Sequence, residues 1–304
     1  MTVWIAADWG NSHLRAWLMD GDAPRESMVS QDGARGLTRE GFEPALLRLV
    51  EPHLPAGTPV DVIACGAVGA REGWCEVPYR KLPAVPPGFD GAITAPVRDA
   101  RLAVHLLAGV SQDSPAAVMR GEETQIAGFL AANPGWDGVI CLPGTHSVWA
   151  HISAGEIVSF RSFLTGELFA LISQQSVLRH TMAGHTGQEG AESVFLEAMS
   201  DAMSRPERVA ADLFSLRAGA LLHGLDPAEA RARLSGMLIG QELAAARPYW
   251  LGQRVAIIGT DGLSARYGAA LATQGVVAET AEAGATTLRG LVAAWHGMQR
   301  AMTR

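Results

Sequence analysis

Apolar residues along the first part of the chain group into short runs separated by polar turns, a pattern that predicts strands. The run Ile5–Ala7 ends at Asp8, a short polar turn follows, and a second apolar run covers 14–19. This pattern predicts an antiparallel hairpin. The elements expected next are a third strand, an amphipathic helix and a buried strand, at 28–30, 42–51 and 60–66.

A similar order of elements returns about 135 residues further on, which is the signature of an internal duplication. A strand at 138–142 leads through a polar turn into a second strand at 147–152, and a third strand and a helix follow at 156–160 and 165–178. The repeat predicts an α/β protein built from two ribonuclease H-like domains of the actin and sugar-kinase type. We expect mixed sheets flanked by helices and a cleft between the domains.

The chain between and after the repeats adds further elements. Prolines and glycines crowd 73–96 and predict an irregular insertion, expected on the side where a sugar kinase of this fold would bind its sugar. The expected lobes are 1–132 and 133–304, the second with a helical segment at about 190–247. The other predicted elements are a strand at 116–119, a helix at 126–130, helices at 191–203, 208–219, 227–233 and 234–246, a strand from 255, a helix at 265–274 and a closing helix from 283.

Composition narrows the classes of function. The 304 residues are 48% apolar, which excludes a largely disordered chain, and no apolar run approaches the roughly 20 residues of a membrane helix. The net charge of −7 argues against a nucleic-acid surface. The three cysteines form no Cys-x-x-Cys pair and fit reduced thiols. We therefore expect a cytoplasmic protein with neither a nucleic acid nor a membrane as partner.

Two turns are candidates for a phosphate cradle. The sequence contains neither a Gly-x-x-x-x-Gly-Lys-Ser/Thr run nor a Gly-x-Gly-x-x-Gly after a strand, so the common phosphate loops are not supported. Glycines, hydroxyls and backbone N–H groups of two facing turns can surround a polyphosphate, and a carboxylate at a strand end can hold Mg²⁺ through water. Either turn alone is a common connection. The candidates are Asp8, Gly10, Asn11 and Ser12 in the first turn and Gly144, Thr145 and His146 in the second, with Asp8 as the Mg²⁺ ligand.

Other residues are candidates for the adenosine pocket and the catalytic base. Gly259, Thr260 and Gly262 follow a buried strand and would let a nucleotide lie against the backbone, although an ordinary strand-to-helix loop looks the same. Glu122 and Glu123 begin a helix, where a carboxylate either accepts a proton from the substrate or interacts favourably with the helix dipole. The sequence leaves the pair unranked except for a slight preference for Glu122.

Three arginines and one further glutamate lie near these turns. Arg15, Arg120 and Arg161 are candidates to pair with the carboxylate of an acidic substrate, with surface salt bridges as the alternative. Glu167 opens another helix and is either a cap-region carboxylate or a ligand for a sugar hydroxyl. Ser147 beside His146 suggests a hydrolase only weakly, because neighbouring strand residues point to opposite faces.

Several runs together resemble one family nearly from end to end. They are Asp8-Trp9-Gly10 with Leu14-Arg15-Ala16-Trp17, Val118 to Gln125, Pro143-Gly144-Thr145-His146, Thr165 to Leu168, Leu234 to Gly240, and Ser264 to Tyr267. The chain is similar in these runs to the 2-dehydro-3-deoxygalactonokinases. It departs from the expected pattern at Asp261-Gly262-Leu263, where a shorter turn is expected after Thr260.

The resemblance implies ATP-dependent phosphorylation of 2-dehydro-3-deoxy-D-galactonate at its 6-hydroxyl, with ATP and Mg²⁺ as cofactors and a small sugar acid as partner. Two alternatives stay open at this point: a kinase for another keto-deoxy sugar acid, and a sugar sensor of the same fold without turnover. A homodimer is a further open alternative.

Overall fold

The computed structural model describes residues 3–55, 57–183 and 191–303. Its strands are β1 Val3–Trp9, β2 Leu14–Asp20, β3 Ala23–Ser30, β4 Val60–Gly66, β5 Arg80–Lys81, β6 Ile93–Thr94, β7 Leu102–Leu106, β8 Val110–Asp113, β9 Ala116–Met119, β10 Gly138–Leu142, β11 Ser147–Ser153, β12 Glu156–Phe163, β13 Val255–Gly259 and β14 Glu279–Glu282. Its α-helices are α1 Phe42–Val50, α2 Glu122–Ala132, α3 Thr165–Gln174, α4 Ala191–Ser204, α5 Val209–His223, α6 Pro227–Ala245, α7 Arg247–Trp250, α8 Asp261–Ala272 and α9 Ala283–Met302.

The two larger sheets share one strand order. The first runs β3-β2-β1-β4-β7-β6 and the second β12-β11-β10-β13-β14, so in each the first strand of the repeat lies between the second strand and the fourth. β1 pairs antiparallel with β2 and parallel with β4, and β10 pairs parallel with β13. The duplicated α/β topology expected from the sequence is confirmed. A small third sheet has the order β5-β8-β9.

Contacts divide the chain into two compact units. Unit 1 contains residues 1–137, 152–160 and 281–304, and unit 2 contains 138–151 and 161–280. Units defined by contacts are not the same as domains, so the expected lobe boundary at 132 and 133 stays a prediction. The expected start of the helical segment at residue 190 lies outside the described residues.

Strand β1 of the first sheet is buried on both faces in unit 1. Alternate residues of a strand point to opposite faces, and accordingly Ile5 and Ala7 pack into a core with Phe42, whereas Trp4 and Ala6 pack into another with Trp295. Helix α9 supplies much of the second core, in which the rings of Trp4 and Trp295 stack with centroids 4.8 Å apart. The second core therefore brings the two ends of the chain together.

Three expectations for the elements were wrong in detail. The helices expected at 227–233 and 234–246 form the single helix α6, because no proline follows Pro227 within it to interrupt the helical hydrogen bonds. Asp226 caps the start of the helix by accepting from Ala228 N and Glu229 N. Helix α8 starts at Asp261 instead of 265. Strands β7, β8 and β14 were not expected at all, although the alternating burial of β7 is regular.

Candidate active site

The first candidate turn joins β1 to β2 in unit 1. Gly10 N donates to His13 O, and the next segment of the chain closes over the turn, because Ala34 N donates to Gly10 O and Arg35 N to Asn11 O. Gly33 makes this approach possible, since a Cβ there would lie 2.2 Å from the Ser12 carbonyl carbon. The turn that carries Gly10, Asn11 and Ser12 is therefore held in one conformation.

Asp8 lies at the end of β1, directly opposite Arg15 in the hairpin and opposite Cys65 on β4. Cys65 Sγ donates a long hydrogen bond of 4.0 Å to Asp8 Oδ1. Burial raises the pKa of the Asp8 carboxyl, and the charge of Arg15 lowers the same pKa by a smaller amount. In the described part of the chain Asp8 forms no salt bridge.

The two glutamates at the start of α2 lie in different environments. Gly121 precedes them with a φ of +114°, and its N–H donates to both Glu123 carboxylate oxygens at 2.8 Å. Glu123 is 1% exposed, and burial together with the charge of Glu122 raises its pKa to about 8. Glu122 is partly exposed and accepts a hydrogen bond from Arg120 N at 3.0 Å. Of the two, only Glu122 has solvent-accessible surface of any extent.

Arg120 is packed inside unit 1. Its guanidinium stacks 4.2 Å from the centroid of the Tyr79 ring and donates to Val77 O at 2.6 Å. Its Nε and Nη1 atoms are buried, and neither has a hydrogen-bond partner among the described residues. A Cβ at Gly69 would lie 2.9 Å from Nη1, so glycine at this position leaves room for the guanidinium.

The other two candidate arginines are exposed. Arg15 lies on β2 with its guanidinium 5.8 Å from the centroid of the Trp17 ring, and Arg161 lies on β12. Arg15 neighbours Asp8, and Arg120 lowers the pKa of Glu123 by its charge. Arg161 belongs to unit 2, whereas Arg15 and Arg120 belong to unit 1.

The second candidate turn, between β10 and β11 in unit 2, packs against the start of α3. Glu167 N donates to Thr145 O at 2.8 Å, and the Glu167 carboxylate lies 2.6 Å from His146 Nε2. A Cβ at Gly166 would lie 2.2 Å from Gly144 O. The glycine allows the helix to approach the turn, and Glu167 contacts His146 from that helix.

The third candidate segment lies beside the second turn. β13 pairs with β10, so Gly259 at its end reaches the turn, where a Cβ would lie 3.1 Å from Pro143 Cγ and 2.9 Å from Ser264 Oγ. Thr260 precedes α8, and its carbonyl accepts from Ser264 N. Gly262 has open space around it. Unit 2 therefore brings together two segments that lie more than a hundred residues apart in the sequence.

A cavity of about 290 Å³ opens next to this turn. The turn and the start of α3 form one side of it, and helices α6 and α8 form the rest. Sequence reasoning gave Gly144 and Thr145 but not the helical residues, although Ser235 and Arg266 stand in two of the runs that carry the family resemblance. The lining residues are Gly144, Thr145, Thr165, Gly166, Phe169, Ser235, Leu238, Ile239, Leu263 and Arg266.

Two properties of the described residues bear on cofactors and membranes. No group of three or more His, Cys, Asp or Glu side chains there is arranged to hold a metal ion. No helix in the same residues combines the length and the apolar character needed to cross a bilayer.

Solved structures place the fold in a known class. The structure superposes on the activator of 2-hydroxyisocaproyl-CoA dehydratase from Clostridium difficile, solved with bound ADPNP, with a TM-score of 0.54 at 10% identity. The superposition covers 99% of this chain and 97% of the activator. The component A of (R)-2-hydroxyglutaryl-CoA dehydratase from Acidaminococcus fermentans gives a TM-score of 0.53. At such identities the likeness concerns the fold alone. The chain is an α/β protein with the actin-like ATPase fold.

Sequence comparison gives the family. The profile of the 2-keto-3-deoxy-galactonokinase family matches residues 8–294. The chain is 36% identical over 296 residues to a Rhizobium meliloti protein named as the 2-dehydro-3-deoxygalactonokinase DgoK1, covering 96% of each, and 33% identical to the Escherichia coli 2-dehydro-3-deoxygalactonokinase, covering 90% of each. A solved Sinorhizobium meliloti structure described under the same activity has a TM-score of 0.87 at 34% identity, over 97% of this chain and 96% of that one. The chain belongs to the 2-keto-3-deoxy-galactonokinase family.

Proposed function

We propose that the chain transfers the γ-phosphoryl group of ATP to the 6-hydroxyl of 2-dehydro-3-deoxygalactonate. Membership of the family over residues 8–294 supports the substrate class. The observation from the geometry that carries the proposal is the turn of unit 2, which presents glycine and hydroxyl groups beside a cavity of about 290 Å³. Such a combination suits a nucleotide, whose phosphates need N–H and O–H donors and whose base needs apolar contact.

The nucleotide part of the proposal uses unit 2. Backbone N–H groups and the hydroxyl of the segment Gly144-Thr145-His146 would bind phosphate oxygens, and Gly259, Thr260 and Gly262 would face the sugar of the nucleotide. The adenine would contact Leu238 and Ile239 in the cavity, whose apolar side chains suit a flat aromatic ring. The idea that Gly10, Asn11 and Ser12 grip the same phosphates stays a prediction.

Mg²⁺ fits the donor chemistry of Asp8. A carboxylate at a strand end suits a cation that keeps most of its waters and binds phosphates directly. Bound there, the ion would neutralise charge that develops on the phosphates. Asp8 would hold it through water, and no other protein ligand is proposed.

The chemical step in this proposal uses unit 1. The 6-hydroxyl oxygen attacks the γ-phosphorus, its proton passes to the Glu122 carboxylate, and the bond to the β-phosphate oxygen breaks to release ADP. Glu122 is preferred over Glu123 because Glu123 is 1% exposed and both its oxygens accept from Gly121 N. Glu123 would instead fix the start of α2 and so the direction of Glu122.

Arginines would bind the substrate carboxylate. Arg120 has two buried nitrogens without a hydrogen-bond partner in the described residues, and the carboxylate of the substrate would satisfy them. Arg15, Arg161 and Glu167 stay candidates for further substrate contacts. The cytoplasmic location and the homodimer also stay predictions.

A coupled assay of ADP release tests the proposal. ATP-dependent turnover is expected with 2-dehydro-3-deoxygalactonate, and slower turnover with its gluconate epimer and with galactonate. Replacement E122Q should lower kcat by about 10²- to 10⁴-fold with the affinity for ATP nearly kept, since it removes the proton acceptor alone. The absence of sugar-dependent ADP release with all three acids would defeat the kinase assignment, and a larger loss of kcat in E123Q than in E122Q would reverse the order of the pair.

A further inference from the structure

A buried carboxylate lies behind the candidate nucleotide cavity. Glu242 on α6 is 2% exposed and is not among the cavity-lining residues. Four side chains from other elements donate hydrogen bonds to it. They are Ser147 Oγ at 2.6 Å, Trp149 Nε1 at 2.7 Å, Tyr267 OH at 2.9 Å, and Thr165 Oγ1.

Two of the donors, Thr165 and Tyr267, lie on helices that line the cavity, and the other two lie on the strand that directly follows the turn. Ser147 directly follows His146 and, with Trp149, lies on β11. Thr165 starts α3, whose next residue, Gly166, packs on the Gly144 carbonyl. Tyr267 lies on α8 next to the cavity-lining Arg266. Through one carboxylate, the turn, α3, α6 and α8 are thus connected.

Hydrophobic packing alone does not explain a glutamate at position 242. Burying a carboxylate is costly, and an apolar side chain of similar volume usually gives at least the same stability. Burial indeed raises the pKa of Glu242, although the four donors lower it. A carboxylate, unlike an apolar side chain, accepts several directional hydrogen bonds. These hydrogen bonds fix the distances between the elements that carry the donors.

We infer that Glu242 is a positioning residue, which sets the geometry of the phosphate turn and of the cavity walls through Ser147, Thr165 and Tyr267. The inference rests on the proposed binding of a nucleotide in unit 2. Glu242 itself touches neither the nucleotide nor the sugar acid in this account. Its loss should therefore weaken nucleotide binding and leave binding of the acid unchanged.

The test measures ADP binding by calorimetry and the KM values for ATP and the sugar acid. Replacement E242Q keeps the size of the side chain but substitutes an amide N–H₂ for one acceptor oxygen, so the Kd for ADP and the KM for ATP should rise about tenfold, roughly the loss of one charge-assisted hydrogen bond. Replacement Y267F removes one donor and should raise both about threefold. The KM for the sugar acid should change less than about twofold in each.

A matched control separates positioning from general stability. Leu243 is the buried neighbour of Glu242 on α6 and packs in the core of unit 2 without contributing a side-chain hydrogen bond. Replacement L243A should lower the Tm while the Kd for ADP stays the same. The inference is overturned if Y267F and E242Q leave the Kd unchanged, or if L243A raises it as much as they do.

The direct measurement of ADP binding distinguishes a failure of the proposed kinase reaction from a failure of the proposed role of Glu242. If the wild-type chain binds ADP but phosphorylates none of the acids, the proposed reaction fails and the role of Glu242 is still decided by the Kd values. If E242Q does not fold, Y267F decides by itself, since it removes one hydroxyl and leaves the carboxylate with three donors.

Discussion

Two neighbouring glutamates illustrate how position within one helical turn changes the chemistry of a residue. Successive residues of a helix point about 100° apart, so Glu122 and Glu123 cannot occupy the same environment. The Glu123 side chain turns back to the Gly121 N–H inside unit 1, whereas Glu122 stays partly exposed. The sequence predicted two carboxylates at a helix start, and it could not say which of them is buried, since burial depends on elements packed around α2.

The raised pKa of Glu123 predicts a pH-dependent stability. Its folded-state pKa of about 8 lies above the ordinary value of 4.5, so between those values the folded chain holds a proton that the unfolded chain has released. The free energy of unfolding should therefore fall with rising pH across this window, by up to about 1.4 kcal/mol per pH unit. Replacement E123Q removes that contribution, and its Tm should exceed that of the wild type at pH 9 but not at pH 5.

Thermal unfolding from pH 5 to 9 measures this difference. Replacement of the exposed Glu76 by glutamine serves as the control and should leave the Tm-against-pH curve unchanged. If E123Q and the wild type lose stability in parallel as the pH rises, Glu123 is ionised in the folded chain at neutral pH and the argument fails.

At the scale of elements, small residues decide which segments come close together. Gly236 and Gly240 lie one helical turn apart on α6. In the structure a Cβ at either would lie within 2.4 Å of a backbone oxygen of α4, so both permit the close contact of α6 with α4. Ser235, their neighbour on α6, lines the cavity instead.

Gly166 allows the start of α3 to lie against the second turn, which leads to a prediction. An alanine Cβ there would lie 2.2 Å from Gly144 O and 3.0 Å from Thr145 O, so the helix and the turn must separate. If this turn binds phosphates, G166A should raise the Kd for ADP about tenfold or more, because backbone N–H groups act only at short range. Calorimetry measures the change.

Gly219 offers the matched control for this substitution. It lies in α5 of the same unit, and a Cβ there would meet Leu225 at an ordinary 3.5 Å. Replacement G219A should leave the Kd for ADP unchanged and preserve or raise the Tm, since alanine favours helix. An unaltered Kd in G166A would show that the position of α3 does not matter for the nucleotide.

At the scale of the whole molecule, unit 1 depends on both ends of the chain. Trp295 on α9 stacks on Trp4 of β1 and is 4% exposed. Replacement W295A should lower the free energy of unfolding by about 3–5 kcal/mol, the cost of removing a large buried side chain and leaving a cavity. Denaturant titration measures it, with H296A on the exposed side of the same helix as control. Equal stability of the two variants would contradict the role of α9 in this core.

Several parts of the fold and site could be predicted because their signals are local. The two strand-turn-strand patterns gave the duplicated topology, and the residues of the two turns follow directly from where strands end. β7 could not be recognised as easily, since Leu102–Leu106 is short and follows a proline-rich segment. The residues of α6 and α8 that line the cavity are far from the turn in sequence, and no local pattern distinguishes Leu238 from an ordinary core leucine.

The amino-acid sequence by itself determined most of the strands and helices and the two candidate turns, since alternation of apolar residues and the placement of glycine act within a few positions. It also carried enough resemblance to indicate the family. Tertiary structure alone decided that α9 completes the core of unit 1, that Glu123 is buried and Glu122 is not, and that Glu242 collects four donors. These outcomes depend on contacts between distant segments, where burial and hydrogen bonding are set by partners that no local pattern names.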